Sequence, residues 1–91
     1  MRIAGYIEKP GYHVTVFEMN HRFSIKIESE GLEQWYKIRT GSAGTKLSEI
    51  EEALGQDFWE GVAAAFRQMR RNELKISEYY QEAEEEDFDI L

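Results

Sequence analysis

Tyr12-His-Val-Thr-Val-Phe-Glu-Met-Asn-His-Arg-Phe-Ser-Ile-Lys-Ile-Glu28 alternates apolar and polar residues on both sides of Asn20-His21. Period-two alternation on either side of a short polar break is the pattern of a half-buried β-hairpin. Asn tolerates positive φ, so Asn20-His21 suits a two-residue primed turn. That turn sets Val14 opposite Ile27, Val16 opposite Ile25 and Glu18 opposite Phe23. One face then carries Tyr12, Val14, Val16, Phe23, Ile25 and Ile27, a plain core set. The other carries His13, Thr15, Phe17, Met19, Arg22, Ser24, Lys26 and Glu28.

Two further strands extend this hairpin. Arg2 to Glu8 alternates as a first strand, and Pro10-Gly11 supplies the residues of a type II turn after it. Pairing through that turn sets Ile7 beside Val14 and puts Ile3 and Gly5 on the core face. Arg2, Ala4, Tyr6 and Glu8 then fall on the second face. Glu30-Gly31 is the third turn. A two-residue loop there sends Leu32, Gln34, Tyr36 and Ile38 inward and Glu33, Trp35, Lys37 and Arg39 outward. A one-residue change in that loop would exchange the two sets. Gln34 is the odd member of the inward set, and Trp35 of the outward one.

Helical spacing takes over after the link Thr40-Gly-Ser-Ala-Gly44. Ser48 with Glu51 reads as a capping box. Gly55 reads as a helix stop, and Asp57 with Glu60 as a new start. Leu47, Ile50, Leu54, Phe58, Val62, Ala65, Phe66 and Met69 nevertheless keep one stripe at spacings of three and four. The sequence thus predicts an α+β domain over residues 1–77. It is a four-stranded antiparallel meander followed by a C-terminal helix, kinked or split at Gly55, packed on one face. Arg67, Arg70 and Arg71 lie near the helix end, where cations suit the dipole.

The chain has 91 residues, enough for one core and too few for two. It has no cysteine, which excludes disulfides and thiolate metal sites. The N-terminus lacks a signal-like apolar run and no stretch suits a membrane helix, so a cytoplasmic protein with no membrane contact is expected. The net charge of −7 is unevenly spread, because all eleven bases and eleven of the eighteen acids lie in residues 1–77. The other seven acids, from Glu78 to Asp89, fall in residues 78–91 with no base among them. A neutral body and an acidic, disordered C-terminal tail are expected.

The sequence points away from catalysis. His13 and His21 are the only histidines, and neither belongs to a metal-ligand spacing. No serine has a base placed to activate it, and no carboxylate is marked as a general acid by apolar neighbours. The glycines of Gly41-Ser-Ala-Gly44 read as a linker, not a phosphate loop. No enzyme activity, metal or cofactor is expected. The second sheet face is the constellation left over. It gathers Tyr6, Phe17 and Trp35 with Arg2, Arg22, Lys26, Lys37 and Arg39. Rings interleaved with cations suit single-stranded DNA or RNA, whose bases stack while phosphates meet the charges. The same rings suit a homodimer interface rimmed by charge, or a protein partner.

Val14-Thr-Val-Phe-Glu, Arg22-Phe-Ser-Ile-Lys-Ile-Glu and Gly44-Thr-Lys-Leu-Ser48 together resemble the family of the transcriptional positive cofactor four. Their ββββα order also resembles Pur-alpha repeats and Whirly proteins. The resemblance covers about half of the chain. It implies a curved sheet that binds single-stranded nucleic acid and units that pair into dimers. Relatives of positive cofactor four carry a base within the glycine link; Gly41-Ser-Ala-Gly44 has none, and Lys46 is the nearest substitute. Glu8-Lys-Pro-Gly-Tyr12 and Leu32-Glu-Gln-Trp-Tyr-Lys-Ile38 are also similar to small uncharacterised bacterial proteins. Glu84-Glu-Glu-Asp-Phe-Asp-Ile-Leu91 is similar to the acidic tip of bacterial single-stranded-DNA-binding proteins, which implies a protein partner for the tail. On its tether the tail is also expected to compete with nucleic acid for the cationic sheet face.

Overall fold

The computed structural model describes residues 1–39 and 45–90, with side chains described through Gln81. The expected link at Thr40–Gly44 lies outside the described residues. Four strands, β1 (Arg2–Lys9), β2 (Tyr12–Met19), β3 (Arg22–Ser29) and β4 (Leu32–Ile38), form one antiparallel sheet in the order β1-β2-β3-β4. Two helices follow, α1 (Leu47–Ala53) and α2 (Gln56–Ile90). The class is α+β, with the sheet open on one face.

The turns explain the register. Asn20 and His21 both take positive φ, 51° and 62°, the signature of a type I′ turn whose twist matches that of its strands. The pairs Val14–Ile27, Val16–Ile25 and Glu18–Phe23 follow from it. Glu30 and Gly31 make the second such turn, with φ of 49° and 81°, and Ser29 pairs with Leu32 across it. Gly11 takes φ 86°, the value of the third residue in the type II turn that Pro10 opens.

β1 departs from simple alternation. Gly5 pairs with Val16 but Ile3 pairs with Phe17, so Ala4 is an extra residue, a β-bulge. This corrects the placement of three side chains. Ile3 joins the second face beside Phe17 and is half exposed, and Ala4 packs against the core. Arg2 moves to the core side of the sheet margin, where its guanidinium meets the Glu18 carboxylate at 2.8 Å. Gly5 keeps its inward place for a steric reason. A Cβ there would sit 2.6 Å from Leu47 Cδ2, so the bare backbone admits the first side chain of α1.

The core is Ile7, Val14, Val16, Phe23, Ile25 and Ile27 from the sheet, closed by Ile50 of α1 and Val62 of α2. Leu47, Leu54, Phe58, Trp59 and Phe66 pack around them. The two helices are separate, and Gly55 lies between them, but it is not a left-handed stop. Its carbonyl accepts the Trp59 amide at 3.2 Å, so it caps the start of α2. α1 begins two residues earlier than the expected box. Lys46 is its N-cap, and its backbone amide donates to the Glu49 carboxylate at 3.4 Å. Ser48 lies inside the first turn.

α2 climbs β4 in reverse, in step with it. Phe58 packs edge-on against Tyr36, with ring centroids 5.1 Å apart. The Val62 carbonyl accepts the Gln34 amide, Phe66 lines a hollow with Leu32, and Arg70 reaches Glu30. Four helical residues rise ~6 Å and two strand residues ~6.8 Å, which is why the match holds for three turns. Beyond Arg70 the sheet ends at its β3–β4 turn, but α2 continues to Ile90. Residues 78–90, where the composition marks an acidic tail, are thus the last part of α2. No helix among the described residues is long and apolar enough to cross a membrane.

Candidate nucleic-acid interface

Strand register sorts the open face into rows that run across the sheet. Nearest the β1–β2 and β3–β4 turns lie Glu8, His13, Glu28 and Glu33. Next come Tyr6, Thr15, Lys26 and Trp35, then Ile3, Phe17, Ser24 and Lys37. Met19 and Arg22 pair at the far end. The face is therefore graded, with acids at one end, rings in the middle and cations at the other end.

Phe17 and Trp35 stand on strands two apart, yet their rings stack at 5.5 Å and 19°. Ser24, the neighbour of Phe17 on the strand between, is small enough to let the rings meet above β3. The Lys26 ammonium lies 5.8 Å from the Phe17 ring centre and 5.7 Å from that of Trp35, within cation–π range of both. Glu28 approaches the same ammonium at 2.7 Å. Their hydrogen bond holds the Lys26 pKa above its ordinary value and the Glu28 carboxyl below its own. The Trp35 indole donates to the Glu33 carboxylate at 3.0 Å. Trp35 remains 46% exposed.

Beside this stack is a hollow of about 220 Å³ lined by Phe17, Met19, Arg22, Ser24, Lys37 and Arg39, with Met1 at its margin. Of the eight rings and cations expected on this face, Phe17, Lys26 and Trp35 form one cluster, Arg22, Lys37 and Arg39 share the hollow with Phe17, and Arg2 lies instead on the core side against Glu18. Tyr6 stands apart. It is exposed, and its ring meets His13 at 6.0 Å instead of the Phe17–Trp35 pair. Thr15, between Tyr6 and Lys26, is buried under its long neighbours. Ile3 and Met1 are parts of this surface that the alternation does not place there. The signal that could have found Ile3 is Gly5, a glycine inside a strand, which marks bulges.

The cationic end lies at the Asn20–His21 turn, while α2 leaves the sheet at the opposite end and on the opposite face. The backbone of residues 78–90 continues in that direction. An internal contact between the acidic segment and Arg22, Lys37 or Arg39 does not fit this path. Among the described residues no group of three His, Asp or Glu side chains is placed to hold a metal ion. No protein-family model matches this chain, and no curated protein or solved structure matches it.

Proposed function

We propose that this protein is a non-enzymatic binding module of the cytoplasm whose open sheet face takes single-stranded DNA or RNA. The observation that carries the reading is the Phe17–Trp35 stack, capped by Lys26 and adjoining the hollow of Arg22, Lys37 and Arg39. Bases stack on exposed ring surface at about 1–3 kcal/mol each with little sequence preference. Phosphates meet the three cations at the far end. The acid row at the other end repels them, which confines the strand to the half of the face nearer Asn20–His21. The resemblance to ββββα single-stranded-nucleic-acid-binding families supports the same reading.

Fluorescence anisotropy with labelled single-stranded oligonucleotides at about 50 mM salt tests it, since phosphate contacts are strongest at low salt. With three or four phosphate contacts, log affinity should fall against log salt with a slope of about −2 to −3. Absence of binding at low salt would remove the nucleic-acid reading. One observation favours a second reading: the Lys26–Glu28 pair and the acids Glu8 and Glu33 give the face mixed charge, which suits a protein partner. A homodimer is part of the proposal, joined so that the open face stays available. The acidic segment 78–91 is the docking element for a protein partner.

A further inference from the structure

The part of α2 that runs past the sheet has a surface that meets no strand of its own chain among the described residues. Val62, Phe66, Met69, Glu73, Ile76 and Tyr80 follow one another at spacings of four and three, the heptad seam of a coiled coil. The first three positions of that seam face the sheet, where Val62 is buried and Phe66 and Met69 are half-buried. Past Arg70 the same seam emerges into solvent, with Ile76 and Tyr80 each 60% exposed and Tyr79 on its flank 68% exposed. Charge is segregated along the same helix. Arg67, Arg70, Arg71 and Lys75 stand at or before this apolar stretch, Arg70 being paired with Glu30 and Glu73 of its own chain, and six acids fall in residues 82–89 after it. About 20 residues, or ~30 Å of helix, lie beyond the end of the sheet.

We infer that two copies of this chain pair through antiparallel α2 helices, about a two-fold axis beside Glu78. The seam selects this register. In an antiparallel pair each first-of-heptad residue meets a fourth-of-heptad residue, so Ile76 of each copy faces Tyr80 of its partner copy. The same register sets Arg71 and Lys75 of one helix, past the end of the sheet, along the 81–85 segment of the other, cations against acids, at both ends. A parallel pair would set acids along acids and cations along cations. The interface is isologous, as closed dimers require. It occupies neither face of the sheet and does not rest on the nucleic-acid reading.

Sedimentation of the full chain at tens of micromolar should show a species of twice 10.7 kDa. Ile76→Glu and Tyr80→Glu should each weaken the dimer at least tenfold, with circular dichroism and melting of the domain unchanged. Trp35→Ala should leave the dimer intact. The chain has no cysteine, so single spin labels are unambiguous. Labels at Ser77→Cys should lie close across the axis, and labels at Gln68→Cys about 30 Å apart along it. A monomer, a dimer insensitive to both glutamate substitutions, a dimer lost with Trp35→Ala, or close Gln68→Cys labels would each overturn the inference.

Discussion

The Gln34 side-chain amide donates to the main-chain carbonyl of Val62 at 2.9 Å, joining β4 to α2 inside the core. The Tyr36 hydroxyl donates in turn to the Gln34 Oε1. A buried polar side chain is tolerated where its hydrogen-bonding groups are satisfied, and both ends of this amide are. The link ties the position of Val62 on α2 to that of Gln34 on β4.

Gln34→Leu keeps the volume and removes both hydrogen bonds. It should lower stability by about 1–2 kcal/mol in urea or thermal unfolding. For a domain of this size that is roughly 4–16 °C in Tm. An unchanged midpoint would mean that the amide contributes nothing net.

Gly61 lies inside α2, is exposed, and has nothing within 4 Å of where a Cβ would stand. Its φ lies outside the left-handed region, so alanine fits without strain. Gly61→Ala should stabilise the protein by about 0.5–1 kcal/mol, through helix propensity and a less flexible unfolded chain. The check is an upward shift in Tm with no change in oligonucleotide binding.

Trp35→Ala removes the ring that closes the Phe17 stack and should weaken oligonucleotide binding by about five- to a hundredfold, the equivalent of one stacked base. The fold should persist, because Trp35 is outside the core cluster. Lys37→Ala should instead act through salt. Its loss should flatten the log–log salt slope by about 0.7 and weaken every sequence alike.

The Lys26–Glu28 pair gives a pH dependence with a definite sign. The Lys26 pKa is raised above its ordinary 10.5, so its contribution is complete below that value and lost as pH climbs through the higher folded value. The Glu28 pKa is lowered below its ordinary 4.5, so its contribution is complete above that value and lost as pH falls through the lower folded one. The pair is thus charged throughout the range between, and it should contribute no pH dependence to oligonucleotide binding from about 5 to 9. Glu28→Gln frees the ammonium for phosphate. It should tighten binding at low salt and steepen the salt slope by about 0.7.

Much of the fold is legible because its signals are local. Asn20-His21 and Glu30-Gly31 permit positive φ at the positions where primed turns need it, and period-two alternation then sorts every side chain of β2, β3 and β4. The candidate face follows from that sorting. What was missed depends on distant partners. Alternation alone misplaces Ile3, because the bulge at Ala4 adjoins a Gly5 that packs under Leu47, forty residues away. Gln34 looked anomalous because its partner is on α2. The Ser48–Glu51 box lost to Lys46 and Glu49 because α1 starts where Leu47 meets the sheet. The unequal charge of the open face is also a property of rows across strands, and no single strand shows it.

Lastly, the bulge at Ala4 governs what the sheet margin can do. β1 is an edge strand, and an edge strand normally offers another chain a ready template of unpaired amides and carbonyls. Here the extra residue divides that template into Arg2–Ile3 and Gly5–Lys9, one step out of register with each other. An incoming strand that pairs with one segment is mismatched to the other. A continuous sheet, or a fibril grown by adding copies at this margin, is therefore stopped after a few residues, and a chain lacking Ala4 would lose that protection.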